Sequence, residues 1–208
     1  MENQLFELAR KRRSIRQYGN KRIDDDVIAE IMKVALTAPT SFGHHAVEFV
    51  VVREAEMIRK VGACKNFGGS QVNGADTVIV AIVKTSDKRA SEFWIEDGAI
   101  ASAYLLLAIE QYDLGACWVH IRNRKGKLKS SDEEIRQLLN IPDGYTVLNL
   151  VALGEKGEKK GSLYRKRSKV WKYSHGKILK DTIKGYMIIA GYGYHISRFL
   201  SLCIYKKL

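Results

Sequence analysis

The segment Glu92–Tyr112 constrains this chain more than any other. Its small residues Gly98, Ala99, Ala101, Ser102 and Ala103 run into Leu105-Leu106-Leu107 with no helix breaker after Gly98. The spacing predicts a long helix that is apolar on nearly every side. Such a helix has to be covered, by a core or by another subunit, because an isolated copy would expose a large apolar patch.

Around this helix the pattern alternates between periods. Leu5, Leu8 and Ala9 give a short helix that runs into Arg10-Lys11-Arg12-Arg13. Asp24-Asp25-Asp26 supplies a cap and the acidic first turn that a helix dipole favours, and Val27, Ile31, Val34 and Ala38 follow at helical spacing before Pro39. Glu48–Arg53 is a short β-branched strand, Glu54–Ala63 a helix, and Cys64–Gly74 a loop. Thr77–Val83 (TVIVAIV) is wholly apolar apart from its first residue, as suits a central strand covered on both faces. Ala116–Ile121 is a strand, Asp132–Leu139 a helix with Ser131 as its cap, and Thr146–Leu153 a strand that stops at Gly154. The chain has no GxGxxG after a strand, no P-loop and no repeat, so the expected class is α+β and not a doubly wound nucleotide fold.

Lys and Arg outnumber Asp and Glu by 35 to 23, and the cations gather at Arg10–Arg16 and Lys156–Lys172. A local excess of this kind suits a phosphorylated cofactor, a nucleic acid or an anionic surface. Cys64, Cys117 and Cys203 make no CxxC pair, and Met1 opens without a leader-like segment; together these point to the reducing cytoplasm. The apolar stretch Gly185–Tyr205 carries His195, Arg198 and several glycines, so no stable membrane insertion is expected.

Four segments carry candidate chemistry. In Arg12-Arg13-Ser14-Ile15-Arg16 an extended backbone puts Arg12, Ser14 and Arg16 on one face, where guanidinium forks suit a phosphate. Alone, it is also what a solvated basic patch looks like. In Ala38-Pro39-Thr40-Ser41-Phe42-Gly43-His44-His45 a helix stop, two hydroxyls and a glycine allow close approach to a flat ring, or make merely a helix-to-strand turn. The two histidines lack a nearby carboxylate or cysteine at ligand spacing, so no metal is expected. Gly115–Val119 follows the long helix, and Gly154 ends a strand with Arg165, Lys166 and Arg167 beyond it.

In this order the four segments resemble the nitroreductase family: RRSIRQY at 12–18, APTSFGHHAVEF at 38–49, WIEDGAIASAYLLLAIEQYDLGACWV at 94–119 and TVLNLVALGE at 146–155. The likeness runs over roughly residues 5–178. It implies a central, mainly antiparallel sheet flanked by helices, an intertwined homodimer, and a nitroreductase-like FMN-binding domain over 1–178, followed by a C-terminal extension over 179–208. It further implies FMN as cofactor, NADH or NADPH as donor, and a small acceptor such as a nitroaromatic or quinone reduced by ping-pong hydride transfer. The chemistry would be centred on the flavin, with no catalytic side chain. By resemblance, Arg12, Arg13, Ser14 and Arg16 meet the phosphate and ring edge. Thr40, Ser41, Gly43 and His45 come from the other subunit, the backbone of Val119 and His120 faces the redox edge, and Gly154, Arg165 and Arg167 close the phosphate end. Where the family often has Asn, Gln, Pro and Trp, this chain has Gly43, His45, Ala46 and Val47; His45 then becomes the donor to a flavin carbonyl. Cys117 reads as a small buried hydrophobe and not a redox thiol.

Two other functions fit the same residues. A flavin-binding protein without turnover follows from the altered ring-lining segment. A basic nucleic-acid-binding module follows from Tyr164, Trp171 and Tyr173 interleaved with Arg165, Lys166, Arg167, Lys169 and Lys172. With the flavoenzyme as the leading expectation, no nucleic-acid partner is expected. The tail admits an arm over the second subunit, a membrane-surface contact or no selected role.

Overall fold

The computed structural model describes residues 3–86, 88 and 91–161, and the backbone of 167–174 and 177–184. The chain divides into two compact units, Met1–Leu163 and Tyr164–Leu208.

In the first unit the elements follow as α1 (Gln4–Lys11), α2 (Asp25–Leu36), β1 (Val47–Val52), α3 (Ala55–Ala63), β2 (Thr77–Lys84), α4 (Trp94–Gln111), β3 (Gly115–His120), α5 (Ser131–Leu138) and β4 (Tyr145–Gly154). The strands pair in the order β1-β2-β4-β3, antiparallel throughout. The α+β expectation holds.

Both faces of the sheet are covered. On one, Ile79, Val151 and Leu153 pack with Ile28 and Ile31 of α2 and Leu105 and Ile109 of α4. On the other, Val78, Val80, Leu150 and Val119 pack with Ile58 and Val61 of α3, Ile135 of α5 and Val72. This explains the unbroken apolar run of β2: it is central, and side chains of either parity meet helices. Burying each large aliphatic side chain of this kind contributes roughly 1.5–3 kcal/mol.

Local chemistry sets the element ends. Asn3 caps α1, its side chain accepting from the Phe6 N–H at 3.2 Å. The cap of α5 is Ser130 and not Ser131: its hydroxyl accepts from the Glu133 N–H while the Glu133 carboxylate accepts from the Ser130 N–H at 3.0 Å, a reciprocal capping box. Ser131, the expected cap, is buried inside the first turn. The buried stripe of α2 is Ile28, Ile31 and Ala35, which leaves Val34 exposed. The expected loop Cys64–Gly74 contains a one-turn 3-10 helix, Gly69–Val72.

The long helix α4 is covered on one side only. Gly98 lets it approach the sheet closely: a Cβ there would lie 2.7 Å from Leu148 Cδ2. Its outer side presents Ile100 and Tyr104 to solvent. No helix among the described residues is long and apolar enough to cross a membrane.

In the second unit β5 (Arg167–Ser174) and β6 (Lys177–Lys184) pair antiparallel, Arg167 opposite Lys184 and Ser174 opposite Lys177.

Candidate functional site

The arginine segment lies along the start of β3. Ser14 bridges Ala116 in parallel, and the Ile15 N–H donates to the Ala116 carbonyl at 2.9 Å. Gly115 makes this possible, because any Cβ there would stand 2.7 Å from Ile15 Cγ2. The Tyr18 hydroxyl donates to the Ile15 carbonyl at 2.9 Å and pins the far end, and burial pushes its pKa up, so it stays a donor.

The segment that follows β4 returns to the same place. Tyr18 bridges Lys156, and the Gly157 N–H donates to the Gln17 carbonyl at 2.9 Å. Glu158 Oε1 then accepts the Arg16 backbone N–H at 2.6 Å and the Lys160 ammonium at 2.9 Å. Lys160 also donates to the Ser14 carbonyl at 2.7 Å, and the Arg13 guanidinium donates to the Gly161 carbonyl. Backbone hydrogen bonding to Arg16, followed by the bond to Lys160, holds the Glu158 carboxyl below its ordinary range. Arg13, Ser14, Arg16 and Lys160 thus lie together beside β3, with Glu158 holding the Arg16 backbone and Lys160. Arg12 ends α1, its backbone N–H donating to Leu8 O at 2.9 Å.

Further along β3, Cys117 is buried and its thiol donates to Gln71 Oε1 at 3.3 Å. Burial raises the Cys117 pKa, which keeps the thiol protonated. Gln71 opens onto a cavity of about 430 Å³. It is lined also by Lys65, Asn66, Phe67, Gly68, Arg124 and Lys125, and by His120 at the end of β3. The His120 imidazole titrates below its ordinary value, mainly through burial and then through repulsion by Arg124, Arg122 and Lys65. Val119 is part of the core. A register shift after Ala81 places Leu148 out of the pairing, and its carbonyl accepts the N–H groups of both Ile121 and Arg122 at 3.1 Å. A bulge of this kind reorients the end of β3.

Thr40–His45 sits elsewhere, against the start of α4. The Asp97 carboxylate, 2% exposed, accepts both the backbone N–H of Ser41 at 2.9 Å and its hydroxyl at 2.8 Å. Thr40 Oγ1 accepts the His45 N–H at 3.1 Å, while Phe42, Gly43 and His45 all take positive φ. Ala46 and Val47 are buried with Ala38, Val83 and Ala101, so the small residues at these positions fill a core. The side chains of Thr40 and Ser41 bond to His45 and Asp97, and their carbonyls accept from Gly43 and His44 within the same turn. Within one chain, then, the structure brings Arg13, Ser14 and Arg16 together beside β3 and leaves the Thr40–His45 turn apart.

Gly154 pairs with Gly115 and lies under Tyr18, whose Cδ1 would be 3.0 Å from an added Cβ; its smallness has a packing reason. Arg165 lies outside the described residues, and Arg167 begins β5. Sequence reasoning had not singled out Glu158, Lys160, Lys65, Gln71 or Arg124. Lys160 stood inside the basic run Lys156–Lys172, which was the available signal; the others carried none.

The model of the Nitroreductase family matches residues 9–66 and 63–155. A proposed NADH dehydrogenase/NAD(P)H nitroreductase of Archaeoglobus fulgidus is 32% identical over 143 residues, spanning 69% of this chain and 80% of that protein. A similarly named protein of Methanothermobacter thermautotrophicus is 30% identical over 158 residues, spanning 76% and 80%. Among solved structures, an FMN-dependent nitroreductase from Clostridium difficile superposes with a TM-score of 0.71 at 33% identity, covering 76% of this chain and 90% of its own.

Proposed function

The chain belongs to the nitroreductase family, and on that premise we propose that it is an FMN-dependent oxidoreductase that passes electrons from NADH or NADPH to a small acceptor. The observation that carries this is the gathering of Arg13, Arg16 and Lys160 around Ser14 beside β3. The donor set fits FMN: guanidinium and ammonium groups with a hydroxyl suit a phosphate.

Arg12, Arg13, Ser14, Arg16 and Lys160 would hold the phosphate and the pyrimidine edge. Gly154 would support that end through Tyr18. The backbone of Val119 and His120 would face the ring. Thr40, Ser41, Gly43 and His45 would line the ring from a second copy of the chain, which accounts for their separation from the arginine segment here. FMN held there would supply two-electron hydride chemistry between the nicotinamide and the acceptor.

The chain's own residues prepare that environment. Glu158 fixes Lys160 and the Arg16 backbone in place before any ligand arrives, so less order has to be imposed on binding. The cations favour negative charge at the pyrimidine end. A protonated Cys117 and a neutral His120 keep competing nucleophile and acid chemistry away from the ring edge.

Freshly purified protein should be yellow and release about one FMN per chain on heating. Arg13→Ala and Lys160→Ala should weaken FMN much more than riboflavin, since only FMN carries the phosphate. Colourless protein that takes up no added FMN ends this assignment.

A further inference from the structure

The cavity at the end of β3 has a composition that the flavin assignment does not require. Lys65 follows the end of α3, and Arg124 and Lys125 come from the turn between β3 and α5; all three line the cavity. Among the described residues, no carboxylate lines the cavity. None of the three cations forms an ion pair among the described residues. The neighbouring carboxylate, Glu134, is taken up by the turn itself, accepting the N–H groups of Leu128 at 2.7 Å and Lys129 at 3.0 Å.

The charges are close enough to act on one another. Burial first, and then the Arg124 guanidinium, lowers the pKa of the Lys65 ammonium. Like charges gathered without a counter-charge cost free energy that a bound anion recovers. The cavity also has an apolar wall. Phe67 is 90% exposed, an unusual degree for a phenylalanine, and stands beside the turn made by Gly68 at φ +78°. An exposed aromatic ring next to three unpaired cations suits a ligand that is itself flat at one end and anionic at the other.

We propose that this cavity binds an anionic aromatic molecule, a planar ring bearing a carboxylate or sulfonate, with Phe67 against the ring and Lys65, Arg124 and Lys125 around the anion. Identifying that molecule as the electron acceptor rests on the flavin assignment; the binding preference does not. The physiological acceptor class is then aromatic acids, and neutral nitroarenes or quinones are weaker substrates of the same site.

The test compares shape-matched ligands of different charge. Calorimetry on the protein as purified measures benzoate against benzamide, and steady-state kinetics measures 4-nitrobenzoate against 4-nitrobenzamide. The anion should bind and react about tenfold better, from a few partly exposed charge interactions acting together. Rising salt should erode the difference. Lys65→Gln should reduce it, and so should the double variant Arg124→Gln/Lys125→Gln. The latter two residues are exposed, so the double variant is expected to fold normally. Equal binding of benzoate and benzamide overturns the proposal. It is equally overturned if the variants leave the preference intact and instead raise KM for NADH or NADPH, because the cations then serve the donor's phosphates. Protein that neither holds FMN nor takes it up would end the oxidoreductase assignment, while the calorimetric comparison would still read the cavity.

Discussion

His120 sits at the end of β3 with burial and three cations set against its protonation. Its folded pKa is below the ordinary imidazole value, so the unfolded chain takes up a proton more readily than the folded one. Stability is therefore unaffected above the unfolded value of about 6.5 and falls as pH drops through it, levelling off below the depressed folded value. His120→Gln removes this component, so the variant's Tm should decline less than the wild type's between neutral pH and pH 5. Parallel Tm curves would mean that His120 does not titrate in this window. Asp97 is a sharper case. It is buried with both donors of Ser41 on one oxygen, and Asp97→Ala leaves them without an acceptor. Denaturant unfolding should show a loss of about 2–4 kcal/mol, against about 1 kcal/mol for Ser41→Ala, which removes a single bond.

At the scale of elements, the contact between the arginine segment and β3 depends on Gly115. Gly115→Ala drives a Cβ into Ile15, an overpacking that costs about 1–3 kcal/mol and shifts the Ser14–Arg16 backbone. FMN affinity should fall with stability, and Ile15→Ala in the same chain should restore part of both by making room. Failure of that rescue would show that the glycine serves some other need. The capping box of α5 offers a control outside the arginine segment: Ser130→Ala should cost about 1 kcal/mol and leave FMN affinity unchanged.

For the whole molecule, the open side of α4 matters most. Ile100 and Tyr104 are each 38% exposed, and α1, which packs against α4, buries no residue while Leu5 and Phe6 stand 61% and 53% exposed. These exposed apolar side chains are where the proposed second copy would pack. Sedimentation should give a dimer of the 23.5 kDa chain. Ile100→Glu with Tyr104→Glu should give monomers that lose FMN, because Thr40–His45 would no longer reach a second copy. A monomer that keeps full FMN affinity would rule out a shared site.

What the amino-acid order determined by itself was everything with a short period. The apolar run of β2 marked a strand covered on both faces, the small and apolar residues of α4 a helix that a core or another subunit must cover, and Asp24–Asp26 a helix start. The arginine segment was legible too, because three guanidinium groups in five residues stand out wherever they fall. Two adjacent serines could not be told apart as caps, since the choice depends on which hydroxyl reaches the third backbone N–H. Only the tertiary structure joined Lys160 and Glu158 to Ser14 and Arg16, and Lys65 to Arg124. Those meetings follow from strand pairing: Gly115 opposite Gly154 brings the end of β4 beside the start of β3, and with it a segment more than 140 residues away in sequence from Arg16. Periodicity records which face of an element is apolar, but it carries no information about which distant element will lie next to it. That depends on burial summed over the whole core, and so does the position of every charge the core carries with it.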